Sequence, residues 1–276
     1  MSTKDPSEVV GYWLNEIRQA REREADYRKD GHEIMKLYEA DKSTPAPFNI
    51  LYSNTETLLP ALFSAIPRPV IDRRFKDDDP VGKLAAQAGK RMLEFLIDTN
   101  MEGYQTFGEA LEDLTFNALT PGRGEIQVKY DAIFKQLAEP EPPDQDDTAP
   151  SKAEPIEYAE KEKVCVETVV WDRVYYGYAK QWHKVPWIAY EFYLTKEEVT
   201  SLLGKQAATK IKYTTEKAKS EDDEDTGKDQ KLGQRKTACL YQIWDKTGGK
   251  KIRYIAPTYK DDQLDEQDDP LGLTGF

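Results

Sequence analysis

Alternation along Glu125-Ile126-Gln127-Val128-Lys129-Tyr130 puts Glu125, Gln127 and Lys129 on one face of a strand. Joined by the upstream Asp113, that face could form an acidic, acidic, basic set that holds magnesium for phosphodiester cleavage. A plainer explanation competes with it, because a chain with 51 Asp and Glu shows such a face on any half-buried strand. Other chemistries find less support. His32 and His183 are the only histidines, and neither has a second ligand type at the short fixed intervals of a zinc site. Both read as surface or packing residues. No Ser or Cys stands in a Gly-x-Ser-x-Gly elbow. A phosphate cradle runs from strand to glycine loop to helix, whereas Gly122-Arg123-Gly124 runs from helix to strand, so its glycines serve a turn. Paired carboxylates of the glycosidase kind have too many candidates to single one out. No catalytic, cofactor-binding or metal-binding residue is assigned, no cofactor is expected, and the chain reads as a non-enzyme.

Composition narrows the remaining classes. A formal net charge of -12 over 276 residues disfavours a simple nucleic-acid grip, which leaves a basic footprint. Aromatic residues reach 11%, led by 16 Tyr, which suits a folded chain with sticky amphipathic surfaces. Cys165 and Cys239 lie in apolar, strand-like runs and read as reduced core residues. MSTKDPSEVVGYW has no apolar signal core, and no later segment has the apolar length of a membrane span. The expected product stays where it is made and has no membrane partner. The closing PLGLTGF is an apolar tail that fits a docking tail or a longer chain cut short equally well.

The periodicities predict an α+β fold, with helices first and an antiparallel sheet afterwards. Asp5-Pro6-Ser7-Glu8 opens a long helix whose thin seam (Val10, Trp13, Leu14, Ile17, Ala20, Tyr27, Ile34, Leu37, Tyr38) is wrapped in charge. Such a helix is expected over a surface or between subunits. A helix rich in Asn follows and breaks at Pro60, and Val70 to Phe75 is expected as a strand. Asp77-Asp78-Asp79-Pro80 starts an amphipathic helix to about Thr99, and another spans about Tyr104 to Leu119. Strands are expected at 125–130, 163–171, 186–193, 237–244 and 251–256, the last two as a hairpin, with a short helix from the Thr195 cap through Leu203. These predict a helical part over 1–120 and a β-rich part over 121–276. Segments 138–154 and 214–236 are too polar to offset their ordering entropy and read as exposed, mobile insertions.

Two regions stand out as candidate subunit-interface or structural-corner residues. In PFNILYSNTETLLPALFSAIPRPVIDRRF they are Asn49, Asn54, Pro60, Asp72, Arg73 and Arg74, a proline-bent helix with polar residues for a helix or subunit contact and charges to pair with neighbours. In the sheet half they are Trp171, Tyr175, Trp182 and Trp187, drawn from a run with Trp and Tyr on both faces of short strands. Core filling accounts for roughly half of those rings.

The same segments resemble phage portal proteins of the podovirus type. The likeness lies in the Asn-rich helix leading through a Leu, Pro and Ala cluster to Pro67-Arg68-Pro69. It continues in Gly122-Arg123-Gly124 entering an alternating strand, and in Asp172-Arg173-Val174-Tyr175 followed by Trp182, Val185-Pro186-Trp187-Ile188-Ala189-Tyr190 and Leu194-Thr195-Lys196-Glu197-Glu198. The closing Asp269-Pro270-Leu271-Gly272-Leu273 completes it. The resemblance rests on the order and spacing of these motifs together. It implies the wing portion of a head-to-tail connector, a ring usually of twelve copies at one capsid vertex of the virion, assembled in the host cytoplasm. Capsid protein, packaging motor and tail or adaptor proteins would be its partners, and DNA would pass through without specific binding. The family's channel helices and clip would lie beyond Phe276. A magnesium nuclease or a phage adaptor or scaffold-interacting module are the alternatives.

Overall fold

A computed structural model describes residues 6–39, 49–73, 79–99, 103–137, 156–215, 235–247 and 249–269, with side chains left aside at 131–137, 156–157 and 159–161. The fold is α+β with antiparallel sheets, as the periodicities predict. Its packing does not follow a split at residue 120. One compact unit joins Met1–His32 to Val170–Phe276, and the other is Glu33–Val169. The first helix therefore packs with the last strands, and the helical segments in between form a unit with a long hairpin.

The first unit is built on a sheet. Its strands are β3 (Val174–Tyr176), β4 (Trp187–Thr195), β6 (Lys236–Asp245), β7 (Lys251–Ile255) and β8 (Asp265–Asp268), in that spatial order, with β5 (Thr214–Thr215) pairing with β6 as well. All neighbours are antiparallel. Period-two alternation sorts the side chains into two apolar faces. Tyr175, Trp187, Ala189, Tyr241, Ile243 and Ile255 form one core with α1 (Pro6–Arg23), which contributes Val10, Trp13, Ile17 and Ala20. Ala238, Leu240 and Ala256 form the other with Val199 and Ala208 of α6 (Lys196–Lys210). The first half of the charged N-terminal helix thus buries its seam inside a core, against the expectation of a surface or intersubunit position, while Leu37 further along stays exposed. At Glu24 the helix passes into α2 (Ala25–Glu39) with its helical bonds kept, Glu24 N–H donating to the Ala20 carbonyl at 3.3 Å and Arg28 N–H to the Glu24 carbonyl at 2.9 Å. Asp5 lies outside the described residues.

Thr195 caps α6 as expected, with Glu198 returning the bond to the Thr195 N–H at 2.7 Å. The helix is interrupted just after Leu203, at Gly204 (φ +84°), and then resumes to Lys210. Thr214 and Thr215 pair with Thr237 and Lys236, so the ends of the 214–236 segment belong to the sheet. Its remaining residues and the whole of 138–154 lie outside the described residues. β8 was not expected, because it sits in the acidic DDQLDEQDD stretch. The reason is charge neutralisation across the ladder: Glu266 is register partner to Arg253 and ion-pairs with both Arg253 and Lys251.

In the second unit, β1 (Glu125–Leu137) and β2 (Ile156–Val169) form a two-stranded antiparallel ribbon. It packs near its base on α5 (Phe107–Leu119), where the Thr168 hydroxyl donates to the Ala110 carbonyl at 3.1 Å. Gly122 (φ +86°) turns the chain out of α5 in a left-handed conformation, and Gly122 and Arg123 both donate to the Asn117 carbonyl. A Cβ at Gly124 would sit 2.1 Å from the Leu114 carbonyl oxygen, so only glycine lets the strand leave this close to the helix.

Asn49 caps α3 (Ile50–Leu62), accepting from Tyr52 N–H at 3.1 Å while its amide donates to the Leu37 carbonyl at 2.6 Å. Pro60 lies inside α3, in its last turn, so the helix does not break there. Residues 66–73 carry no regular structure where a strand at Val70 to Phe75 was expected, and 74–75 lie outside the described residues. This segment instead runs back along α4 (Pro80–Asp98). Arg68 Nη1 meets both Asp98 oxygens at 2.8 Å, a Cβ at Gly89 would lie 3.3 Å from Ile71, and Arg73 ion-pairs with the cap Asp79 at 3.3 Å.

Burial opposes ionisation of Glu266, but hydrogen bonds from Lys251 and Gln263 and the charge of Arg253 outweigh it and hold the carboxyl below the usual range. A folded value below the unfolded one stabilises the fold above the ordinary Glu range and loses that stabilisation as pH falls through the folded value. Glu266→Gln is therefore expected to lower the thermal midpoint at pH 7 by roughly 2–4 °C. The gap to the parent should close as pH falls below about 4, and a gap independent of pH contradicts this role.

Candidate functional site

Of the four residues that could have formed a magnesium site, only Asp113 lines the hollow beside α5. An open hollow of about 720 Å³ is lined by Tyr104, Gln105, Glu109, Glu112, Asp113 and Glu167. Glu109 closes the capping box of α5, accepting from the Thr106 N–H and hydroxyl at 2.8 Å, and those bonds lower its pKa. Asp113 accepts from the Gln105 amide at 2.7 Å, and Gln105 in turn accepts from Thr168 N–H at 2.9 Å. Lys129 ion-pairs with Glu167, and Glu125 faces Arg123 at 3.8 Å. Gln127 is buried. Among the described residues no group of three His, Cys, Asp or Glu is placed to hold a metal ion. The hollow reads as the polar seam where α5 meets the ribbon.

Both histidines are exposed at the surface, where the sequence placed them as surface or packing residues. His32 lies against Trp171 at 4.9 Å between ring centroids, with Nε2 3.5 Å from Asp172. His183 sits in a 3-10 turn with Trp182, and its carbonyl accepts from Lys246.

Of the four aromatic candidates, three are corrected by the structure. Trp171, Tyr175 and Trp187 are buried in the first unit and present no surface to a partner. Tyr27 and His32 both pack on Trp171, and a Cβ at Gly31 would come 2.6 Å from its ring. Trp187 meets Trp13 edge-on at 5.8 Å, and its indole N–H donates to Glu16 at 3.3 Å. Trp182 alone stays on the surface, half exposed and edge-on to Tyr176.

Tyr175 belongs to a polar network that sequence reasoning missed. Glu191 on β4 is buried beneath α1, accepting from the Tyr175 hydroxyl and Arg21 through one oxygen and from the Tyr193 hydroxyl at 2.6 Å through the other. Arg21 also donates to Tyr175 at 2.6 Å, and the Arg28 guanidinium lies 4.5 Å over the Tyr175 ring. The available signal was a lone acid among apolar residues in Trp187-Ile188-Ala189-Tyr190-Glu191-Phe192. Burial, then Glu191, pushes the Tyr175 hydroxyl up to about 12, and the same two causes push the Cys239 thiol up to about 12. The Tyr175 hydroxyl and the Cys239 thiol therefore keep their protons at neutral pH, and the network clamps α1 to the sheet.

The candidates on the Asn-rich segment divide differently. Asn49 is spent on capping, and Asp72 accepts from Arg73 N–H at 2.8 Å while Arg73 pairs with Asp79. Arg74 lies outside the described residues. Asn54 is exposed, on an outward stripe with Ile50, Leu58 and Ala61. A second stripe, whose role the periodicity did not reveal, runs along α4. No residue of this 19-residue amphipathic helix is buried, and Val81, Leu84, Met92 and Phe95 are each between 64% and 71% exposed. Amphipathic spacing marks such a stripe in sequence but does not tell a core from an interface. No helix among the described residues is long and apolar enough to cross a membrane.

No protein-family model matches the chain, and no curated protein is significantly similar to it.

All five tryptophans fall in the first unit, so indole fluorescence reports its unfolding alone. Glu191→Ala strands Tyr175 and Arg21 beneath α1, and because Arg21 is half exposed and can turn to water, the expected loss is about 2–3 kcal/mol in urea unfolding. A loss below about 0.5 kcal/mol, the range of ordinary surface changes, contradicts the clamp. The partly buried Cys239, with its thiol pushed up to about 12, should resist thiol reagents at pH 8 until the first unit unfolds, as read by peptide mapping; rapid labelling of Cys239 in the native protein contradicts this.

Proposed function

We propose that this chain is a structural subunit of a phage portal, the wing portion of a head-to-tail connector that forms a ring at one capsid vertex. The ring is taken to have twelve copies, to pass the genome inward and outward, and to receive capsid protein, packaging motor and tail. The observation that carries the reading is the amphipathic α4, which leaves its whole apolar stripe in water. A stripe of this length on a chain that repels itself with a formal charge of -12 is costly unless another surface covers it. Support also comes from the order of motifs shared with podovirus portals and from the acidic balance, which lets DNA slide without being gripped.

Native mass spectrometry of the chain tests the reading. A closed species of fixed copy number is expected at micromolar concentration, and a stable monomer there overturns it. Incubation with plasmid and magnesium tests the nuclease alternative: the portal reading expects intact DNA, and cleavage abolished by Lys129→Ala would replace it.

A further inference from the structure

We infer that one end of the first unit's sheet binds single-stranded nucleic acid without reading its sequence, with phosphates on Lys180, Lys184, Lys250 and Arg23 and a base stacked on Trp182. The inference stands on that surface alone and does not depend on the portal reading. Two connections meet there. Residues 177–186 join β3 to β4, closed where Gly177 N–H donates to the Trp187 carbonyl at 3.0 Å and pinned by buried Val185. Residues 246–250 join β6 to β7. Lys246 ties the two connections together, its N–H donating to the Pro186 carbonyl at 3.0 Å and its ammonium to the His183 carbonyl at 3.1 Å.

Charge is distributed unevenly over the chain. The first unit carries 24 Lys and Arg against 25 Asp and Glu, and the second 15 against 26, so the acid excess that disfavours a nucleic-acid grip belongs to the second unit. Within the first unit, no Asp or Glu occurs from Arg173 to Tyr190 or from Lys246 to Lys260. Lys180-Gln181-Trp182-His183-Lys184 is exposed throughout, as are Lys250 and Arg23. Among the described residues, Lys180, Lys184, Lys250 and Arg23 make no ion pair. The acids at the border are engaged: Glu22 pairs with Arg18, Glu16 accepts from the Trp187 indole, buried Asp245 accepts from Thr247, and Asp269 N–H donates to the Lys250 carbonyl. Charges beyond about 8 Å are screened at physiological salt, so the local cations decide what docks here.

The rings choose among anions. Arg23 lies 5.4 Å from the Tyr176 ring and 5.8 Å from the exposed Tyr178 ring, and half-exposed Trp182 stands edge-on to Tyr176. Cations and rings therefore alternate across the surface. A single strand needs that combination, point charges for phosphates and open π-faces for unpaired bases. A duplex keeps its bases away from such rings. An acidic peptide would answer the lysines but offer Trp182 no flat partner. A membrane surface asks for a broader apolar face than one Trp between Lys180 and Lys184.

Fluorescence anisotropy of the full chain with a labelled oligothymidylate of about twelve nucleotides, at about 50 mM salt, tests this. Saturable binding is expected, with a duplex of the same length at least about tenfold weaker. Trp182→Ala should weaken binding at least about fivefold without altering its salt dependence, and Trp182→Phe should restore most of the loss. Replacing both Lys180→Gln and Lys184→Gln should lower the slope of log affinity against log salt by roughly 1.4, the value for two phosphate contacts on a single strand. All three positions are exposed, and circular dichroism checks that folding is retained. No binding, equal binding of duplex, or binding that these variants leave unchanged would overturn the inference. Full displacement of the oligonucleotide by polyglutamate of equal charge, or tighter binding to phosphatidylserine vesicles, would assign the surface to an acidic protein or a membrane and overturn it as well.

Discussion

An amphipathic helix has to bury its apolar stripe against something, and α1 and α4 meet that requirement in opposite ways. Both are about five turns long. α1 lays Val10, Trp13, Ile17 and Ala20 on the sheet and closes a core with Tyr175, Trp187 and Ile243. α4 buries none of its residues. The first unit is therefore complete by its own packing, with a sheet covered on both faces. The second unit keeps its polar seams satisfied, at Asp113, Glu109 and Glu167, but leaves two helical stripes for another molecule. On the proposed reading, the first unit is a rigid body and the second unit is where copies meet.

Charge follows the same logic. In so acidic a chain, a carboxylate enters the interior only with partners. Glu191 has two tyrosine hydroxyls and Arg21; Glu266 has Lys251, Arg253 and Gln263. Removing the partners leaves a buried charge unmatched, while the ordering they impose joins elements far apart in sequence, α1 to β3 and β4, and β7 to β8. The hollow beside α5 shows the limit of reading chemistry from residue types. Asp113 and Glu167 line the same space, yet Asp113 is held by Gln105 and Glu167 by Lys129.

Much of the fold was legible where local signals act alone. The cap-plus-proline start at Asp79, the Thr195 cap, the glycine exit at Gly122 and the alternating strands are all determined within a few residues, whereas the caps Asn49 and Thr106 were not read as such. The failures arose where a distant partner decides. β8 exists because Lys251 and Arg253 neutralise Glu266, and nothing in DDQLDEQDD itself announces a strand. The rings of Trp171, Tyr175 and Trp187 looked like interface anchors because composition cannot say which side of a ring is covered. α1 covers Tyr175 and Trp187, and Tyr27, Gly31 and His32 of α2 cover Trp171, all from far earlier in the chain. Likewise, the apolar positions of α4 were visible at 84, 85, 88, 92 and 95, but only the packing reveals that they remain in water.

The central claim is that another copy covers this stripe, and Met92 offers a direct probe because its thioether is exposed in the single chain and oxidises readily when solvent reaches it. Hydroxyl-radical footprinting of the full chain, read by mass spectrometry at dilute and at assembled concentrations, measures that access. The account predicts that Met92 and Phe95 label strongly when dilute and lose at least about tenfold in labelling on assembly, while exposed Tyr178 of the first unit changes little. Equal labelling of Met92 in the assembled and dilute protein would contradict it.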